Sequence, residues 1–267
     1  MKSNKLEIFC VTNKKISHIE KTNYQIAGVG KENFPDNYLK CNTKDNIFYK
    51  EEYYSELTFH YWYWKNLIKS NNNDWIGFCQ KRRFWIKSSS IKKKIDISNI
   101  NEHLLYKPEK DWDKFESIIC EPINVRGAKK IKILKRGWRS VIKNPLILFD
   151  DTHHNLKLHF NMHHGFGNLD LAIDLLDPDD KNDLNTYVNT NTKFSPHIMF
   201  ITKAEIANQW FNALFPWLEK CEKKFEFKNL SGYDTKKLYA YLAERYLSFW
   251  FKKYTVCKEH PWVFIQN

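Results

Sequence analysis

No run in this chain approaches the ~18 consecutive apolar residues that a membrane-spanning helix needs; short pieces such as FNALFPWL come nearest. C-x-x-C pairs are also missing. The six cysteines, Cys10, Cys41, Cys79, Cys120, Cys221 and Cys257, are scattered with no signal peptide ahead of them, and they read as reduced cytoplasmic thiols. There is no H-E-x-x-H spacing of the zinc hydrolases and no zinc-finger, RRM or helix-turn-helix signature. Internal repeats and linker-like stretches are absent too, which excludes a solenoid and makes one domain over residues 1–267 the simplest expectation.

Acidic residues are the scarcer charge: 31 Asp and Glu against 43 Lys and Arg give +12. Such a surface attracts polyanions, whether nucleotide phosphates, nucleic acid or an anionic membrane face. The abundance of Asn beside Lys and Ile makes part of that excess a matter of composition. With 42% hydrophobic and 16% aromatic residues, the chain has ample material for a core.

The apolar pattern alternates between strands and helices. LEIFCV, Leu6 to Val11, reads as a buried strand that ends in Thr12, Asn13 and Lys14, and YQIAGVG repeats the pattern. From Tyr53 to Ile68 aromatic residues occupy every face of a helical period, so that helix is expected to be enclosed, with NNND at its end. DWIGFC is a further strand, with Gln80, Lys81, Arg82 and Arg83 at its carboxyl end. Strand, helix, strand is the unit of an α/β sheet.

Further on, AKKIKILKRGWRSVIKNPLILF alternates lysine with isoleucine or leucine and reads as a twisted hairpin. In the stretch Asn161 to Leu176, a helix follows the glycines, with Leu171, Leu175 and Leu176 inward. Thr202 and Glu205 form a T-x-x-E capping box for a long helix that Pro216 should kink. A last helix carries Leu238, Leu242, Tyr246 and Phe249 on one stripe, with Glu244 and Arg245 beside it, pointing in different directions.

Ligands of open α/β sheets lie beyond the carboxyl ends of the strands, where Arg82 and Arg83 stand. Guanidinium forks match phosphate oxygens, so a diphosphate is a natural partner; the alternative is that one arginine pairs with Glu56 as a structural bridge. Glu56 is correspondingly either a catalytic base or a structural partner. Glu244 and Arg245 are either functional or a solvated pair. His153, His154, His159, His163 and His164 cluster with Asp150 and Asp151, a density that suits a divalent metal although no established spacing is present. Asp111 and Asp113, and the DPDDKND stretch, have the D-x-D form seen around metal-bound nucleotide diphosphates.

Read together, VTNKK, DNIFYKEEYYSELTFHYWYWKN, DWIGFCQKRRF, PHIMFITKAEIANQWFNALFPWL and LAERYLSFWF resemble the ordered blocks of the bacterial capsular polysaccharide glycosyltransferases of domain of unknown function family 4422. The E-L-T with Y-W-x-W-K-N, here Glu56 to Asn66, is the most specific block. Three departures stand out: Gln80 and Lys81 replace His-Tyr, Ile198 replaces Asn, and Ala243 replaces Ser. From 88 to 145 the likeness lapses into a basic insert, either a loop for acceptor or membrane contact or a solvated hairpin.

The resemblance implies a GT-A-like, Rossmann-related mixed sheet flanked by helices that moves a sugar from a nucleotide-sugar donor to a surface, capsular or lipid-linked glycan. It implies Arg82, Arg83 and Arg245 on the donor diphosphate, and Thr12, Asn13 and Lys14 under the nucleotide. The base is sought among Asp170, Glu56 and Glu244, while His163, His164 and His197 line the acceptor or donor side. A divalent metal, Mn or Mg, is left open; Asp150 and Asp151 are its candidates, and the two arginines make a metal-independent reaction the alternative. The expected location is the cytoplasm, with peripheral contact at the inner face of the membrane left open. Nucleic acid is not an expected partner. Two rival readings remain, a catalytically degenerate relative and a basic nucleic-acid-binding protein.

Overall fold

The computed structural model of the protein describes residues 5–20, 22–68 and 74–266. Its strands are β1 (Leu6–Thr12), β2 (Gln25–Gly28), β3 (Leu39–Lys40), β4 (Trp75–Gln80), β5 (Arg83–Trp85), β6 (Ser117–Cys120), β7 (Ile123–Asn124), β8 (Lys193–Phe194), β9 (Phe200–Lys203), β10 (Cys257–His260) and β11 (Trp262–Phe264). The helices are α1 (Glu51–Tyr54), α2 (Leu57–Asn66), α3 (Ile100–His103), α4 (Lys130–Arg136), α5 (Trp138–Lys143), α6 (Leu156–His164), α7 (Asn168–Ile173), α8 (Pro178–Thr190), α9 (Ala204–Phe225), α10 (Tyr233–Lys236) and α11 (Leu238–Tyr254). The chain forms two compact units, one of residues 1–121, 197–213 and 250–267, the other of 122–196 and 214–249.

The first unit holds the mixed sheet in the order β10-β6-β9-β4-β1-β2-β3, with β5 paired to β4 and to β11. β1 lies between parallel neighbours, Cys10 opposite Ile26 on β2 and Cys79 on β4. Both of its faces are covered, which is why it reads as a nearly continuous apolar run. Alternation along the strands sends Phe9 and Phe78 to one face and Cys10 and Cys79 to the other. On the first face Phe78 meets Phe9 at 5.7 Å, Tyr63 of α2 at 5.3 Å and Phe200 of β9 at 5.0 Å between ring centroids. The opposite face packs Ile8, Cys10, Cys79 and Ile118 into a cluster with Trp85, Leu104 and Trp112. A central mixed sheet flanked by helices is thus the architecture, an α/β arrangement as the strand and helix pattern indicated and a mixed sheet as the family resemblance implied.

The second unit is largely helical around the small β7–β8 pair. Ile133 and Ile147 pack on Leu158 and Met162 of α6, while Trp217 meets Tyr246 at 4.9 Å and donates its indole N–H to Ala172 O at 2.8 Å.

Several sequence expectations are corrected. The stretch expected as a hairpin is α4 and α5 followed by a 3-10 turn at Pro145–Leu148. Its period-2 alternation comes from composition, because only Ile133 of α4 is buried. Leu171 is 43% exposed rather than inward. Thr202 forms no capping box, since it lies inside β9 and its hydroxyl donates to Glu116 O at 2.7 Å. The NNN of the expected helix stop, residues 71–73, falls outside the described residues.

Candidate functional site

In the first unit the carboxyl ends of the parallel strands β1, β2 and β4 converge. β1 ends at Thr12, whose carbonyl accepts from Val29 N at 2.8 Å just beyond β2, and Lys81 N donates to Val11 O at 3.1 Å just beyond β4. These bonds tie three strand ends into one ledge. Thr12 Oγ1 accepts from Lys14 N at 3.1 Å and closes the Asn13 turn on itself. Lys81 Nζ donates to Asn13 Oδ1, so the loops after β1 and β4 are linked through side chains as well.

A second chain of contacts leads from the helix to the arginines. Glu56 stands immediately before α2, and its Oε1 accepts from Gln80 Nε2. Gln80 Oε1 in turn accepts from Arg83 Nη1 at 3.1 Å. The link expected between Glu56 and an arginine therefore runs through Gln80 in this route, and Gln80 can serve both because an amide offers a donor and an acceptor. The guanidiniums of Arg82 and Arg83 lie 5.4 and 5.2 Å from the Phe264 ring centroid of β11, within cation–π range. Arg82 Nε is buried and has no hydrogen-bond partner among the described residues. Gly30, at φ +81°, follows β2; a Cβ there would come within 3.1 Å of the Glu51 carboxylate.

His197 also belongs to this unit, just before β9, which runs antiparallel to β4 and β6 and so starts at their carboxyl ends. It adopts φ +68° and meets Trp262 edge-on at 4.9 Å. Thr12, Asn13, Lys14, Glu56, Arg82, Arg83 and His197 are thus at one end of one sheet. Gln80, Lys81 and Phe264 join them without having been singled out from sequence as site residues. Gln80 and Lys81 had a signal, their position at the end of β4; Phe264 had none, because its approach depends on the antiparallel β5–β11 pairing. A cavity of about 400 Å³ in this unit lies elsewhere, near the amino ends of β1 and β4 beside Lys5, Glu7 and Asp74.

Apart from Asp111 and Asp113, which belong to the first unit, the remaining expected residues lie in the second unit. Arg245 is 1% exposed; its Nη1 donates to Glu244 Oε2 at 2.8 Å and its Nη2 to His159 Nδ1 at 2.9 Å. Its guanidinium carbon sits 3.7 Å from the Phe194 ring centroid. Adjacent residues expected to diverge are instead bonded to each other, the arginine buried and the glutamate half-buried, because an unpaired guanidinium at that depth would carry a large desolvation cost.

On α6, His159 and His163 are one turn apart with ring centroids 4.5 Å from each other. His163 Nδ1 bonds His159 O at 2.8 Å, and His164 stacks on Tyr241 at 3.7 Å. Burial lowers all three imidazoles, His159 to about 2 and His164 to about 3, with the Arg245 charge adding to both. The three are neutral at pH 7, and His159 accepts from Arg245 through Nδ1. Asp170 is held by Lys157 Nζ at 2.8 Å.

Asp150 Oδ1 accepts from Thr152 N at 2.8 Å and caps a 3-10 turn, a bond that holds its carboxyl below the usual range. Asp111 accepts from Lys258, and Asp180 from the buried Tyr246 hydroxyl. Among the described residues no three His, Cys, Asp or Glu side chains converge as metal ligands would.

Residues 7–255 match the family described as Domain of unknown function (DUF4422). No curated protein matches the chain. Among solved structures, the apo form of WbbM, a bifunctional glycosyltransferase, is similar in fold with a TM-score of 0.69 at 18% identity over 99% of this chain. The chain spans 46% of that protein's length.

Proposed function

The chain belongs to the DUF4422 family, and from that premise we propose that it is a glycosyltransferase using a nucleotide-sugar donor, with a GT-A-like donor site on the strand-end ledge of the first unit. The acceptor in this reading is a surface, capsular or lipid-linked glycan. The observation that carries the proposal is the placement of Arg82 and Arg83 at the end of β4, on the same ledge as Thr12, Asn13 and Lys14. The fold shared with WbbM supports it.

Transfer breaks the bond between the sugar and the diphosphate, and negative charge develops on the departing phosphate oxygen. Donors fixed in place before that charge appears lower the barrier most. Arg83 is held by Gln80 Oε1, and both guanidiniums rest against Phe264, so neither must reorganise from water. The Asn13 turn beside Lys81 accommodates the nucleotide on this reading. Inverting transfer also needs a carboxylate near the acceptor hydroxyl. Glu56 is the candidate on the ledge.

The end of β4 does not fit a divalent metal: its side chains there are an amide, an ammonium and two guanidiniums. In the proposed reaction the arginines neutralise the diphosphate directly, and no step runs through a metal. A thermal-shift screen against nucleotide sugars and nucleoside diphosphates, with and without manganese, tests this. A selective shift that persists in EDTA supports both parts. Strict manganese dependence would overturn the metal-free version, and no shift with any nucleotide would favour a degenerate relative.

A further inference from the structure

Between Pro122 and Phe149 the chain carries eight Lys and Arg and no Asp or Glu. Within it, residues 129–149 hold six large apolar side chains on their exterior: Ile131, Leu134, Trp138, Ile142, Leu146 and Phe149. Ile131, Ile142 and Phe149 are 70%, 71% and 78% exposed, far beyond what an isoleucine or phenylalanine of a closed core shows. Within each element these residues sit at same-face spacing, three apart on α4, four apart on α5, and three apart from Leu146 to Phe149.

The inner side of these elements is already satisfied, with Ile133 and Ile147 against Leu158 and Met162. The outer residues are therefore not part of that core. Lys130 Nζ lies 5.6 Å from the Phe149 ring centroid, which brings the last of these apolar groups beside α4 and its lysines. A patch that is both greasy and predominantly cationic, with Asp234 on Arg136 and the exposed Asp150 and Asp151 after Phe149 as its acidic neighbours, matches one kind of surface, the interface of a bilayer with anionic headgroups, where apolar side chains enter the acyl boundary and Lys and Arg stay at the phosphates. Nucleic acid would use the charge and leave the isoleucines in water.

We propose that the outer face of residues 129–149 docks this protein on an anionic lipid bilayer, with the six apolar side chains entering the interface. The inference is independent of the glycosyltransferase reading, because it concerns this surface alone. The test is flotation of the full chain with vesicles of phosphatidylcholine alone or with phosphatidylglycerol added, at low and high salt. The chain is expected to float with the anionic vesicles, less so at high salt, and to stay behind with the neutral ones.

Two surface variants keep the outcome interpretable, each checked for an unchanged melting temperature. The charge variant Lys130→Gln/Lys135→Gln/Lys143→Gln should weaken partitioning on the order of 100-fold, at roughly fivefold per basic residue. The apolar variant Ile131→Ser/Ile142→Ser/Phe149→Ser should lose vesicle binding at every salt concentration. Failure of the wild-type chain to float with anionic vesicles would overturn the proposal, as would an apolar variant that floats normally. Self-association that vanishes in the apolar variant, without any vesicle binding, would assign the patch to a second copy of the chain and also overturn it.

Discussion

Replacing Arg245 with methionine separates a structural role for this residue from a direct hold on ligand phosphate. The guanidinium is 1% exposed and is shared between Glu244 Oε2 at 2.8 Å and His159 Nδ1 at 2.9 Å, over the Phe194 ring. Burial pulls its pKa down while the Glu244 charge and hydrogen bond pull it back up, the balance expected of a desolvated pair. Deleting Arg245 takes its bonded charge from the half-buried Glu244 and its hydrogen bond from His159, at a cost of up to about 3–5 kcal/mol. At ~2–4 °C per kcal/mol for a chain of this order of size, R245M should melt roughly 6–20 °C below wild type. The double variant Arg245→Met/Glu244→Leu removes both charges and should recover most of the loss, since an apolar replacement of a whole buried pair is close to neutral. Differential scanning calorimetry of the three proteins decides. If R245M melts with the wild type yet no longer binds a nucleoside diphosphate, the structural reasoning fails and Arg245 is a ligand contact.

Three further outcomes follow from the same structure. His60, buried among Phe78, Phe200 and Phe211, has its pKa lowered to about 3 by burial. The unfolded chain then binds the extra proton below about pH 6.5, so stability is full above that pH and falls by ~1.4 kcal/mol per pH unit as pH drops toward the folded value. His60→Leu should flatten that part of the acid limb in denaturant titrations, and an unchanged slope would contradict the assignment. Gly77→Ala on β4 would place a Cβ 2.8 Å from Ile201 Cγ1, an overpacking that should cost about 1–3 kcal/mol in chemical unfolding; a neutral result would mean that β9 yields freely. Gln80→Leu uncouples Glu56 from Arg83 along the observed route and should raise the dissociation constant for a nucleoside diphosphate several-fold while the melting temperature stays nearly unchanged. Unaltered binding would remove Gln80 from the site.

The residues that could be read from sequence are those whose environment is local or uniformly apolar. β1 and β4 announce themselves because both faces of each strand are buried, and the Leu238, Leu242, Tyr246 and Phe249 stripe of α11 is buried as its spacing indicates. Arg82 and Arg83 were visible at a strand end for the same reason. The KIKILKR segment misled because a seven-residue helix that buries only Ile133 leaves no 3.6-residue signal to compete with the lysine alternation. Thr202 and Glu205 satisfied a capping-box spacing, but sheet pairing with Ile76 and Ser117 claimed the threonine first. Contacts such as Arg245 with His159, 86 residues apart, or Gln80 with Glu56, 24 apart, follow from tertiary placement that no local pattern encodes.

The most direct test of the central claim is calorimetric titration of nucleoside diphosphates into the wild-type chain and into Arg82→Ala/Arg83→Ala, in EDTA. Hydrogen bonds to a charged group contribute about 1.5–3 kcal/mol each, so the account predicts binding by the wild type and a loss of at least about tenfold, with the fold intact, in the variant. Equal affinity in the two proteins would contradict it, because the diphosphate would then rest somewhere other than the end of β4.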